Sequence, residues 1–157
     1  MIDIALLIVS YGLMEFVAWS NHKYVMHGFL WSWHKDHHLN DRQKMAMEDM
    51  QFSGFEKNDL FFLVYAIPAI LLLIIGFGTG NLHLVFIGAG ITLYGFTYFL
   101  VHDILIHQRV KIPFLVKNRG KYVQSIIRAH LAHHRPHTAT DFKNFGLLIF
   151  PTRFFKP

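Results

Sequence analysis

Cysteine is absent from the chain. That excludes disulfides, cysteine-ligated zinc, cysteinyl iron–sulfur clusters and a haem with a thiolate axial ligand. Any metal must be held by histidine, carboxylate or carbonyl groups. Charge is also scarce: 16% of residues are Asp, Glu, Lys or Arg, against 53% apolar residues and a mean hydropathy of +0.31. Soluble domains carry more charge, so the composition points to a membrane protein. The glycines offer no nucleotide-binding loop. Gly76-Phe-Gly-Thr-Gly80-Asn81 lacks a preceding strand and the required spacing; it reads as a tight, uncharged turn. At 157 residues the chain fits one domain, 1–157.

Three long apolar runs are present. Residues 4–20 carry one charge, Glu15, and approach the roughly 20 residues that a spanning helix needs. The run has neither a basic n-region nor a small-x-small cleavage site, so it reads as a retained span and not a signal peptide. Leu60–Phe77 is the second span, with a mild kink expected at Pro68. Leu82–Val101 is the third, its helix continuing through His107. Residues 39–59 are polar and read as a surface loop or short amphipathic helix. Val123–His134 has a helical pattern. Phe145–Phe150 is too short to span and is expected to pack on the bundle or lie in the interface. The expected architecture is all-α: a membrane-embedded helical bundle of about three spans, with cytoplasmic-face helices carrying a His-rich two-metal site.

The positions of the 15 Lys and Arg orient the bundle. Five fall between spans one and two, ten follow span three, and none lies in a span or in the 78–81 turn. Both basic segments then share one side, which the positive-inside rule makes cytoplasmic, with the N-terminus outside. A basic face toward anionic headgroups accounts for the net charge of +5 without any nucleic-acid partner.

Ten of the twelve histidines fall in four spaced motifs at that cytoplasmic side. His22/His27 and His102/His107 are His-x4-His pairs. His34/His37/His38 and His130/His133/His134 are His-x2-His-His triplets. On an α-helix a triplet spans an arc of about 100°, so three imidazoles can address one small volume, whereas the pair members diverge by about 140°. The spacing therefore predicts that each triplet serves one place and that each pair straddles two neighbouring ions. Together the motifs suggest a two-metal site in which His22–His38 forms one half and His102–His134 the other. Imidazole suits iron, zinc, copper and nickel alike. A site at the membrane boundary suits an apolar substrate arriving from lipid. Oxidising an unactivated C–H bond there needs a redox metal and O2, which zinc does not supply.

Other residues carry weaker signals. Asp36 and Asp103 adjoin candidate ligands and could accept an imidazole N–H; as solvated or capping carboxylates they would do nothing at a metal. Glu15, a charge inside a span, has a functional role as its default reading and a structural hydrogen bond as the bland one. His83 and His137 read as ordinary polar residues. Trp19, Trp31 and Trp33 read as an interfacial belt. Tyr94, Phe96, Tyr98 and Phe99 read as packing, with channel lining as the alternative.

His22-Lys-Tyr-Val-Met-His27-Gly-Phe-Leu-Trp31, His34-Lys-Asp-His37-His38, Glu56-Lys-Asn-Asp59-Leu-Phe61, Leu100-Val-His102-Asp-Ile-Leu-Ile-His107-Gln-Arg109 and Arg128-Ala-His130-Leu-Ala-His133-His134 resemble the bacterial-type β-carotene 3-hydroxylases. These belong to the fatty acid hydroxylase/sterol desaturase superfamily of membrane non-haem di-iron enzymes. The resemblance runs through nearly the whole chain in order. The spacings alone are similar to the superfamily; Tyr24-Val-Met-His-Gly28 and the residues around His102 and Arg109 are similar to the carotenoid branch. The resemblance implies two non-haem irons, O2 as co-substrate, and an external electron donor of ferredoxin or reductase type. It further implies hydroxylation of carbon 3 of the β-ionone rings of β-carotene, towards zeaxanthin, with the metals as the catalysts. The absence of a plastid-type transit peptide gives the expectation of a bacterial protein in the cytoplasmic membrane. The alternatives are the same chemistry on a fatty acyl or sterol-like lipid, a bis-His haem b electron carrier, and a metal transporter. Clustered motifs at one face disfavour haem, and spans that offer no ionisable ligand beyond Glu15 disfavour transport.

Overall fold

The computed structural model describes residues 1–46, 55–110, 112–117, 119–136, 138 and 141–156, with the side chains of 41–46 and 116 outside that description. Helix α1 (Ile2–Ser20) runs on without a break into a wide-turned segment, Asn21–Phe29. Non-helical angles at Gly28 (φ −100°, ψ −122°) end this run and turn the chain into α2 (Trp31–Ala46). A short 3-10 turn (Lys57–Phe62) leads into α3 (Leu63–Thr79). Helix α4 (Leu82–Tyr98) continues into a second wide-turned segment, Phe99–Ile106. Short α5 (Pro113–Lys117) and α6 (Lys121–His134) follow, and then a tail holding one 3-10 turn, Thr152–Phe155. No strand occurs among the described residues.

Three continuous helical stretches are long and apolar enough to cross a membrane: Ile2–Phe29, Lys57–Thr79 and Leu82–Ile106, of 28, 23 and 25 residues. Each exceeds its apolar run in the sequence, because hydropathy marks the lipid-facing part and not the helix ends. Ile8, Phe16, Ile67, Ile74 and Leu93 project outward and exposed, as a lipid-facing surface requires. This is a membrane protein. The turn between α3 and α4 is shorter than expected. α3 reaches Thr79, Gly80 takes the left-handed conformation (φ 70°), and the Asn81 side chain caps α4 by accepting from the His83 and Leu84 amides.

Helix α4 is central, packed against α1 on one side and α3 on the other. In lipid, close backbone approach replaces hydrophobic driving force. A Cβ at Gly90 would collide with Ser10 Oγ and the Leu7 carbonyl of α1, and one at Gly88 would sit 3.1 Å from the Ala69 carbonyl of α3. The up-down-up order puts the ends of the first and third spans and the start of the second at one level, and there α2, α6 and the tail fold over them.

Glu15 fastens the tail. Its Oε1 accepts from the amides of Leu147, Leu148 and Ile149 (2.9, 2.9 and 3.0 Å), and its Oε2 accepts from Tyr94 Oη (2.7 Å). The carboxylate is fully engaged in holding structure, so the structural reading of Glu15 replaces the functional one. Phe145–Phe150 accordingly packs on the bundle, with Leu147 buried.

Candidate metal centre

All ten motif histidines meet at this end of the bundle, nine of them buried and His27 half-buried. They form two groups. His22, His27, His34, His38 and His133 bring one ring nitrogen each within 4.8 Å of one another, and His37, His107, His130 and His134 do the same. His102 packs onto the second group, its ring centroid 4.4 Å from His107, 4.9 Å from His130 and 5.2 Å from His37. His83 lies apart and donates through Nδ1 to Asp3 at 2.6 Å. His137 is outside the described residues.

The groups are interleaved, and this corrects two expectations from spacing. First, the triplets do not each serve one place. His34 and His38, four apart on α2, go to the first group, while His37 goes to the second; His130 and His134 go to the second, while His133 goes to the first. Four-residue neighbours lie one above the other on a helix, and the residue between them points to the adjoining centre. Second, the pairs do not straddle. His22 and His27 lie in one group, and the rings of His102 and His107 adjoin in the other. The cause is backbone register. His22 and His27 lie in one wide-turned segment, and His102 lies in the other with His107 capping it; i→i+5 bonds such as His107 N–H to His102 O at 2.9 Å close these turns. Such a turn brings residues five apart to one face, where an α-helix would splay them. The first group thus receives a whole pair, two members of one triplet and one histidine of the other; the second receives His107, two members of the other triplet and His37, with His102 packed against them.

Backbone and side-chain acceptors fix the rings. His22 Nδ1 donates to the Phe145 carbonyl (2.9 Å), His133 Nδ1 to the Lys143 carbonyl (2.9 Å), His34 Nδ1 to Asn58 Oδ1 (2.6 Å) and His37 Nδ1 to Glu56 Oε2 (3.0 Å). An oxygen that can only accept requires the proton on Nδ1, so each Nε2 presents its lone pair inward. Burial holds His34, His37, His38, His130 and His133 well below the ordinary imidazole range, and neighbouring imidazoles push the same way. They are neutral, as ligands must be.

This arrangement fits a metal. His22 and His34 both carry their proton on Nδ1, yet their Nε2 atoms face each other at 3.2 Å. Two lone pairs at that distance repel unless a cation lies between them. His38 Nε2 lies 3.0 Å from His34 Nε2 and 3.3 Å from His27 Nε2, and His107 Nε2 lies 3.0 Å from His130 Nε2. Nitrogens bonded to an ion at ~2.1 Å and set at right angles would be ~3.0 Å apart. His37 Nε2 is buried without a hydrogen-bond partner while its Nδ1 is held by Glu56.

The sequence marks the residues that hold these rings only as part of the family resemblance and gives them no role at the metal. Glu56, Asn58 and Asp59 form the capped entry to the second span, with the Glu56 amide donating to Asp59 Oδ2 at 3.0 Å. Polar residues directly before a span were the available signal, and it resembles ordinary capping. Arg109 binds Asp59 through two nitrogens (2.7 and 3.1 Å) and reaches Asp103 Oδ1 at 3.4 Å. Asp103 Oδ2 stands 3.5 Å from His102 Nδ1. Asp36 is exposed and meets no ring among the described residues, because it lies off the histidine face of α2. Trp31 leaves the proposed belt: its ring packs on His27 and His38 at 5.0 and 5.5 Å.

A cavity of about 600 Å³ opens between α3 and α4 and ends at His102. Its walls include Tyr65, Ala69, Ile91, Phe96, Tyr98 and Phe99, so part of the aromatic run before His102 lines a channel. Tyr94 is fully buried and remains core.

Spanning helices, with a buried polar centre built from imidazoles at one membrane boundary, define a class: the polyhistidine membrane proteins. Clustering of this kind is unlike two single histidines on facing spans, so it disfavours the haem carrier. The sequence profile of the fatty acid hydroxylase family matches residues 7–156, and the chain belongs to that family. The β-carotene hydroxylase of Pantoea ananas is 41% identical over 138 residues, covering 88% of this chain and 71% of that protein. That of Pseudescherichia vulneris is 37% identical, covering 94% and 77%, and that of Paracoccus sp. (strain N81106 / MBIC 01143) is 34% identical, covering 96% and 86%. The chain is a hydroxylase enzyme. No solved structure matches it.

Proposed function

We propose that this hydroxylase adds a hydroxyl group to carbon 3 of the β-ionone rings of β-carotene, towards zeaxanthin. The observation that carries the reading is the pair of interleaved histidine groups at the end of an apolar cavity, in a chain whose relatives are named β-carotene hydroxylases. His22, His27, His34, His38 and His133 would hold one iron, and His37, His102, His107, His130 and His134 the other. Bound iron would supply the redox chemistry with O2 that an unactivated C–H bond demands. Electrons come from an external donor of ferredoxin or reductase type, as the chain has no flavin or iron–sulfur motif.

The chain's own residues do the rest. Asn58, Glu56 and the carbonyls of Lys143 and Phe145 hold protons on the outer ring nitrogens and so aim the inner ones. Phe142, Phe145 and Trp31 pack on the first group's rings and keep water out. The lipid-facing spans leave the polyene in the bilayer while one ring reaches the centre. With the basic segments cytoplasmic, the centre opens on the inner face of a bacterial cytoplasmic membrane, and the N-terminus is outside.

Expression in cells that accumulate β-carotene tests the substrate. The expected outcome is conversion of the pigment to 3-hydroxylated products. Unchanged carotene alongside newly hydroxylated fatty acyl or sterol-like lipid would assign the same chemistry to another substrate.

A further inference from the structure

The cavity between α3 and α4 has a property that neither the family nor the histidines explain. Along α4 and the wide-turned segment that continues it, Ile91, Gly95, Phe99 and His102 form one stripe, facing Ala66 and Ala69 of α3. Two turns earlier the same helices touch: a Cβ at Gly88 would meet Leu73 Cγ at 3.0 Å and the Ala69 carbonyl at 3.1 Å. At Gly95 a Cβ would meet nothing within 4 Å, although the residue is part-buried. The helices have parted there, and Gly95 puts no side chain into the space. The mouth is rimmed by Ile70, Phe62 and Phe96, all more than half exposed, within the spanning stretches. The floor is polar: Asn58, which holds His34, and Asp59, Asp103 and Arg109 beside His102.

From Ile91 to His102 the helix rises ~16 Å. A volume of about 600 Å³ over that length gives a mean cross-section of roughly 40 Å², wider than a single extended chain and suited to a substituted six-membered ring. Apolar walls with a few polar groups at the closed end are the ordinary form of a small-molecule site.

We propose that this groove is the substrate site, entered sideways from the bilayer, and that Gly95 sets the bulk of the ring that can reach His102. The occupant is a ring-ended apolar hydrocarbon whose remainder extends from the mouth into lipid. The proposal rests on the carotene-hydroxylase reading above.

The test compares Gly95→Ala, Gly95→Leu and Gly95→Trp with Gly12→Leu and Gly78→Leu, which add bulk at exposed positions where a Cβ likewise meets nothing. Each protein, iron-loaded in lipid nanodiscs, is equilibrated with β-carotene; pigment retained per chain, iron content and helicity are measured, and turnover is measured after adding O2 and a reduced ferredoxin as the electron source. Retention and turnover should fall in the order Ala, Leu, Trp, by at least about tenfold for Trp, with iron and helicity unchanged and the two outer variants like wild type. Ala66→Phe, filling the groove from α3, should reproduce the loss and serves if Gly95→Trp fails to fold. Wild-type retention and turnover in Gly95→Trp or Gly95→Leu and in Ala66→Phe would overturn the groove while leaving the carotene reading intact. Wild-type protein that neither retains nor converts β-carotene would overturn both.

Discussion

His37 and His133 are the residues through which each histidine group depends on the other half of the chain. Each sits in one triplet and serves the group built mainly around the other. His37→Ala and His133→Ala should each lower bound iron from two to about one per chain. Hydroxylation should fall by at least ~100-fold, since even residues that only orient ligands are worth 10–100-fold. Full activity in either variant, read by pigment analysis with iron counted, would contradict the interleaved site. Protonation offers a second check. Burial holds His34, His37, His130 and His133 below the ordinary value of 6.5, so the unfolded chain binds more protons than the folded one. Stability of metal-stripped protein should therefore be highest above that value and fall as pH drops below about 6.5. Thermal unfolding in detergent should give a lower Tm at pH 5.5 than at pH 8; equal values would count against buried neutral rings. The ten histidines and their grouping into motifs were legible in the sequence because nothing but a shared task explains such spacing. The roles of Glu56 and Asn58 were not, because their sequence pattern is that of a helix cap and only the fold brings α2 against them.

At the scale of elements, two devices position the centre: the wide-turned segments and the carboxylate clamp. The three spans could be read from hydropathy, since lipid exposure selects apolar side chains along the whole stretch. The wide turns could not. An i→i+5 hydrogen-bond register is a backbone property, and Asn21–Phe29 and Phe99–Ile106 carry the side-chain pattern of an α-helix end. Assuming α geometry placed His22 and His27 on diverging faces, and it is this assumption that made the pairs seem to straddle. The clamp was half legible, as Glu15 is conspicuous inside a span while its partners are main-chain amides some 130 residues away. Those amides lead directly to the carbonyls of Phe145 and Lys143 that orient His22 and His133. Glu15→Leu leaves three amides and Tyr94 Oη without an acceptor, at ~1–3 kcal/mol each where buried. It should release the tail, seen as new protease cleavage near Lys143 and a large drop in Tm. Glu15→Gln keeps an acceptor and should lose much less. Equal stability of the two variants would show that the tail does not depend on the clamp.

For the molecule as a whole, the spans do three things at once. They carry the chain through the bilayer, bring the ends of the first and third spans to one level, and leave a lipid-open groove leading to His102. The basic segments gather at the end that holds the histidines, so the centre, the groove floor and the side an electron donor would approach coincide. Everything then turns on what the two histidine groups bind. The direct measurement is metal content and absorption of purified protein, expressed with iron. Two non-haem irons per chain and no Soret band are the expected result, one iron for each group. A Soret band, or one iron or fewer per chain at full occupancy, would contradict a two-iron hydroxylase centre.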